Sequence, residues 1–273
     1  MPIYHRVIGD GYPVVMLHGW TLDHQAMFHC MEPVFEKRKG WKRVYIDLPG
    51  MGRSEAQKSI RNSDEMLTSV LQFLDHLIPN ETFVVCGYSY GALIARGIAH
   101  LRRNLVRGLL LFAPVIVAEP AERVLPELQI LRKDPDLISR LSSEDAAEFE
   151  SIAVLQGEQE WERFREEILI PSKSAADEFL DRIRQNGYGF TFDIDRNSPP
   201  FEHPTLIITG RQDHVVGFQD AWRLIDNYPR GTFAVLDMAG HNLQIERPDI
   251  FEALVNDWID RLESDLLKEH RDK

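Results

Sequence analysis

Short apolar runs alternate with amphipathic stretches through the first 116 residues. "PVVMLHG" (13–19), "RVYIDLPG" (43–50), "TFVVCG" (82–87) and "VRGLLLFAP" (106–114) are continuous and rich in branched side chains, the pattern of strands buried on both faces. Between them, "SDEMLTSVLQFLDHLI" (63–78) and "ALIARGIAHLRR" (92–103) place apolar residues at helical spacing, the first with Ser63 or Asp64 as its cap. Strand, helix, strand in this rhythm predicts right-handed crossovers and a mostly parallel sheet. The rhythm resumes with "PTLIITG" (204–210), a helix over "FQDAWRLIDNY" (218–228), then "TFAVLDMAG" (232–240). A long helix from Pro248 closes the chain, and its tail "KEHRDK" is expected to be frayed and solvated.

The middle breaks the rhythm. Segments such as "AERVLPELQILRK", "SSEDAAEFESIAVL", "EWERFREEILI" and "AADEFLDRIRQNG" are helical and charge-rich, and no buried-strand run intervenes before "TLIITG". A helical insertion inside an α/β sheet predicts a cap over one sheet edge, with "DRNSPPFEHP" (195–204) as the return linker. The predicted organisation is a core over 1–116, a cap over 117–200 and a second core segment over 201–273.

With 44% hydrophobic and 27% charged residues, the 273-residue chain can bury a sizeable core. Its net charge of −12 argues against nucleic acid, which needs a basic patch, and against anionic membranes. The N-terminus does not read as a signal peptide, and no apolar run suits a membrane span. Cys30 and Cys86 form no metal or redox spacing, so a cytoplasmic protein is expected. His24 and His29 are five residues apart and do not share a helical face, so no metal site is expected.

"CGYSYGA" (86–92) carries the candidate chemistry. A lone G-x-S-x-G arises by chance in roughly one chain in ten of this length. Here it joins a buried strand to a helix, which makes it informative. A sharp strand-to-helix turn strains the backbone at Ser89 and brings neighbouring chain close, so Gly87 and Gly91 keep side chains out of the way. A serine hydroxyl needs a base to take its proton, and the base needs an orienting carboxylate. "LIITGRQDHVV" puts Asp213 after one strand and "VLDMAGHNLQ" puts His241 after the next, so all three residues fall at the carboxyl edge of the sheet. After the first strong strand, Gly19 of "LHGW" lets the chain pass close to the site. The backbone N–H groups of Trp20 and Tyr90 are the oxyanion candidates.

Taken in order, "LHGW", "DLPGMGRS", "GYSYGA", "GRQD" and "AGHN" resemble the landmarks of the α/β-hydrolase superfamily, in its lid-bearing esterase, lactonase and carbon–carbon hydrolase branch. The resemblance implies a mostly parallel sheet flanked by helices, with the helical cap inserted after the sixth core strand. It also implies a cofactor-independent, metal-free hydrolase with a Ser89–His241–Asp213 triad. His18 would hold the loop rather than do chemistry, and Glu119 is the rival acid. Tyr90 stands where many relatives carry Met and Ala92 where they carry Gly; Tyr90 is expected to put a bulky side chain under the substrate. Trp161 and Phe164 are expected to pack between cap and core. The expected partner is a small molecule, a carboxylic ester or lactone, acted on by a monomer or homodimer. Carbon–carbon hydrolysis of a diketone-like metabolite and small-molecule binding on the same fold are the alternatives.

Overall fold

The computed structural model describes residues 3–195 and 199–271. A seven-stranded sheet runs through the molecule in the order β1-β3-β2-β4-β5-β8-β9. Its strands are β1 (His5–Ile8), β2 (Tyr12–Leu17), β3 (Trp41–Ile46), β4 (Phe83–Tyr88), β5 (Val106–Phe112), β8 (Thr205–Gly210) and β9 (Gly231–Leu236). All neighbours are parallel except the edge pair β1–β3. Strands β4 and β8 are buried at every position, as their unbroken apolar runs predict, whereas the edge strand β9 is mostly half-exposed.

Helices α1 (Gln25–Phe35), α2 (Ser63–Leu77), α3 (Tyr90–Leu101) and α11 (Pro248–Arg271) flank the sheet; α1 packs on α11, and α2 on α3. The cap of α2 is Asn62, whose side chain accepts the Glu65 N–H. Of the two expected caps, Ser63 is instead buried and donates to the Tyr188 carbonyl, and Asp64 lies in the first turn. The helix expected over 218–228 is broken into α9 (Gln219–Trp222) and a 3₁₀ turn (Ile225–Asn227). The tail expected to fray is helical to Arg271 in α11, and residues 272–273 lie outside the described residues.

Between β5 and β8 the chain leaves the sheet. It forms a 3₁₀ turn (Pro120–Glu122), β6 (Arg132–Lys133), α4 (Pro135–Arg140), α5 (Ser143–Ile152), β7 (Leu155–Gln156) and α6 (Glu158–Phe164). A π-type stretch (Arg165–Leu169), α7 (Ile170–Ser172) and α8 (Asp177–Gly187) follow. This insertion follows the fifth strand in chain order, not the sixth, because only the short β1 precedes β2. It is also not wholly helical: β6 and β7 pair in parallel, a two-residue ladder too short to leave an apolar run. Trp161 and Phe164 pack on Phe149, with ring centroids 5.3 and 5.1 Å away, inside a second apolar cluster confined to this segment. They build the insertion's own core rather than a seam to the sheet. From α8, by contrast, Phe179, Leu180 and Ile183 join the main core. Of the expected return linker, residues 196–198 lie outside the described residues.

The chain runs from β2 outward to β3 and then returns to place β4 on the other side of β2. This reversal opens a crevice at the carboxyl ends of β2 and β4, where Leu17 pairs with Gly87.

Candidate active site

Ser89 sits between β4 and α3 with φ 53° and ψ −113°, a conformation that costs a non-glycine residue about 1–3 kcal/mol. Close packing on both sides maintains it. A Cβ on Gly87 would lie 2.4 Å from the Gly91 carbonyl oxygen, and one on Gly91 would lie 2.2 Å from the Leu17 carbonyl oxygen. Neither position accepts a side chain unless the backbone moves. Gly19 is less constrained: its Cβ would come within 3.4 Å of Ser89 Cβ, which places this loop directly beside the serine.

The turn after β8 carries Asp213 and the loop after β9 carries His241, and both meet Ser89. His241 Nδ1 is 3.0 Å from Asp213 Oδ2, and His241 Nε2 is 2.9 Å from Ser89 Oγ. All three residues are buried. A carboxylate only accepts, so Nδ1 carries the proton and Nε2 is left to accept from the serine hydroxyl. Asp213 Oδ1 accepts the N–H groups of Val215 and Val216 at 2.9 and 3.0 Å, which fixes the carboxylate plane. Burial alone would raise the Asp213 pKa. Attraction and hydrogen bonding from His241, with the two amides, outweigh it and hold the carboxyl below its ordinary value.

Glu119 does not reach His241; its side chain caps the 3₁₀ turn by accepting the Ala121 N–H. His18 is fully buried, with Nδ1 donating to the Gly19 carbonyl at 2.7 Å and Nε2 accepting the Leu48 N–H at 2.9 Å. The ring thus ties the loop that carries Gly19 and Trp20 to the loop after β3, and desolvation lowers the His18 pKa. Trp20 lines the cavity with Ser89. Tyr90 opens α3, so its N–H belongs to the first turn, where amides have no acceptor within the helix.

The Tyr90 side chain departs from expectation. It is wholly buried and is not among the residues lining the cavity. Its hydroxyl pairs with Ser63 Oγ at 2.8 Å, while its ring supports Trp20 and Tyr188 at centroid distances of 4.6 and 5.0 Å. The first turn of α3 directs this ring away from the crevice, so Tyr90 backs the residues that line it.

The cavity over Ser89 has a volume of about 880 Å³. Gly19, Trp20, Leu22, Val115, Val215, Val216 and His241 line it from the sheet side; Ile152, Ile168, Arg184 and Tyr188 line it from the insertion. Arg123 also lines it, but its guanidinium is committed to the carbonyls of Val117, Ala118 and Val215. That links the start of the insertion to the turn after Asp213. Sequence reasoning missed Tyr88, whose hydroxyl donates to Asn242 Oδ1 at 2.7 Å and braces the His241 loop. The available signal was a tyrosine inside a buried strand, since a buried phenol needs a partner.

Among the described residues no helix is long and apolar enough to cross a membrane. Residues 12–248 match the family described as alpha/beta hydrolase fold. A solved α/β superfamily hydrolase from Oenococcus oeni PSU-1 superposes with a TM-score of 0.87 at 28% identity, covering 96% of this chain and 100% of that one. A pimeloyl-[acyl-carrier protein] methyl ester esterase from Shewanella woodyi is 24% identical over 93% of this chain and 96% of its own. The chain is 26% identical to the dihydrolipoyllysine-residue acetyltransferase component of an acetoin cleaving system from Pseudomonas putida, over 86% of its own length but only 60% of that protein's. With the sheet order, the elbow at Ser89 and these likenesses together, the chain belongs to the α/β hydrolase fold family and is a hydrolase.

Proposed function

We propose that this chain is a cofactor-independent serine hydrolase acting on a small carboxylic ester or lactone, with residues 117–200 serving as a cap over a core of 1–116 and 201–273. His241 Nε2 takes the Ser89 proton as Oγ attacks the carbonyl carbon. Asp213 keeps His241 in the accepting tautomer and stabilises the imidazolium that forms. The Trp20 and Tyr90 amides receive the oxyanion; one such donor is worth about 3 kcal/mol of barrier. The imidazolium then protonates the leaving alkoxide, giving an alcohol and an acyl-Ser89 ester. Water, deprotonated by His241, attacks that ester, releasing the acid and restoring the serine hydroxyl.

The observation that carries this reading is the continuous relay of 2.9 and 3.0 Å from Ser89 through His241 to a buried Asp213. An ester is favoured over other acyl donors by the methyl ester esterase relative; the cavity, about 880 Å³, is of the size that encloses a whole small molecule of any of these classes.

The test is labelling by a fluorophosphonate, read by intact mass, on the native chain and on Ser89→Ala, followed by a panel of esters, lactones and vinylogous diketones. One adduct on the native chain alone, with ester or lactone turnover lost in the variant, is the expected result. Turnover of the diketones alone would move the assignment to carbon–carbon hydrolysis. No adduct on folded protein would overturn the reading in favour of ligand binding.

A further inference from the structure

Glu246, the last residue of the short helix α10 (Leu243–Glu246), is buried, 5% exposed, and belongs to none of the roles above. Its carboxylate accepts three backbone N–H groups from two distant parts of the chain. Oε2 accepts from Gly240, the residue before His241, at 2.6 Å. Oε1 accepts from Val154 and Leu155, at 2.6 and 3.3 Å, where the cap enters β7. The two segments touch directly as well: a Cβ on Gly240 would lie 2.8 Å from Val154 Cγ2. A second tie runs parallel to the first. Arg163 of α6 donates to the Gln244 carbonyl at 2.8 Å, its charge balanced by the buried Glu167 at 2.6 Å.

We propose that Glu246 is a positioning residue: its carboxylate binds the cap to the His241 loop and so holds His241 against Ser89. The inference rests on the triad reading above. Its chemical logic lies in the number of acceptors. A carboxylate offers both oxygens to N–H donors, whereas an amide offers one oxygen and turns an NH₂ toward the other donors. The loop contacted is the one whose placement sets the His241 Nε2 to Ser89 Oγ distance. A displacement of about 1 Å in such a site can cost on the order of a hundredfold in rate.

The ionisable groups around the clamp are Asp213 beyond β8, Tyr88 at the end of β4, His241 in the loop itself, and the Arg163–Glu167 pair of the cap. Burial pushes the Glu246 pKa up to about 7, against the pull of its three amide donors, with Asp213 adding to the rise. The clamp is therefore complete only when Glu246 is ionised.

The experiment compares the rate constant of fluorophosphonate labelling for the native chain and for Glu246→Gln at pH 8. A rate constant, unlike a yield, is indifferent to an irreversibly misfolded fraction, and the folded fraction of the variant is measured in the same buffer. We expect about a tenfold fall or more, with ester KM little changed. An unchanged rate constant, with only thermal stability altered, would reduce Glu246 to a structural role and overturn the inference. Should the variant fail to fold, Glu246→Asp decides: its carboxylate is one methylene short of spanning Gly240 and Val154, so its labelling rate constant should also fall, and a rate constant equal to the native one would overturn the inference. Failure of the native chain to label at any pH is a different result, and it removes the triad reading itself.

Discussion

His241 Nε2 lies 2.9 Å from Ser89 Oγ although 152 residues separate them in the chain. Nothing local brings them together. Parallel pairing of β4, β5, β8 and β9 carries both residues to one edge of the sheet. The contact has a direction as well as a length, because the partner of His241 Nδ1 decides which ring nitrogen can accept. Reversing that partner is therefore a sharper test than deleting it.

In Asp213→Asn, the Val215 and Val216 amides will claim the side-chain oxygen, because they already donate to Oδ1. The new NH₂ must then face His241 Nδ1, forcing the proton to Nε2, where it opposes the serine hydroxyl. We expect kcat on an ester substrate to fall by about 10⁴-fold with the fold intact. Activity within tenfold of native would mean that another group orients the imidazole.

Gly91→Ala, in the first turn of α3, should be among the most damaging single substitutions. The added methyl group would lie 2.2 Å from the Leu17 carbonyl oxygen and 2.5 Å from that of His18, both backbone atoms with little room to yield. The expected loss is about 2–4 kcal/mol in denaturant unfolding. Because His18 anchors the Trp20 loop, labelling at Ser89 should slow as well. A stable variant with native labelling would show that the β2–α3 contact is softer than its geometry.

The two buried carboxylates should pull stability in opposite directions with pH. Asp213 titrates below its ordinary value in the fold, so its contribution is complete above that value and is lost as pH falls through the lower folded pKa. Glu246 is raised from 4.5 to about 7, so the folded state binds its proton more tightly; the associated stability is full below 4.5 and is lost as pH rises toward 7. Urea unfolding of the native chain against Glu246→Gln across that window should show the native chain losing about 1–3 kcal/mol relative to the variant. A gap that does not change with pH would refute the assignment of that titration to Glu246.

Much of this molecule was legible in the sequence, and each exception has its own physical cause. Strands β2, β4, β5 and β8 leave unbroken apolar runs because helices or neighbouring elements cover both faces. The placement of Ser89 and Asp213 at strand ends was legible because each follows such a run, and that of His241 because it follows the less buried β9. Strand β1 escaped notice because it is a four-residue edge strand with two exposed positions. The direction of the Tyr90 ring depends on where α3 starts, and the position of Trp161 depends on a cap core with no periodic signature. Glu246 was invisible for a stronger reason: its partners are main-chain amides, two of them more than 90 residues away, and a backbone N–H carries no residue identity to read.

The cavity walls come from two separate stretches of chain, and that division bears on how the enzyme can be redesigned. Ser89, Asp213 and His241 all hang from sheet ends, whereas Ile152, Ile168, Arg184 and Tyr188 reach the cavity from the insertion. Under the proposed mechanism, bond-breaking rests with the sheet-end residues, while part of the wall that meets the ligand belongs to the insertion. A library confined to those four positions could broaden or narrow the range of acids accepted while every member keeps the same nucleophile. The limit on such a library is the short stretch around Val154, where, on the clamp inference, an altered insertion would also disturb the histidine.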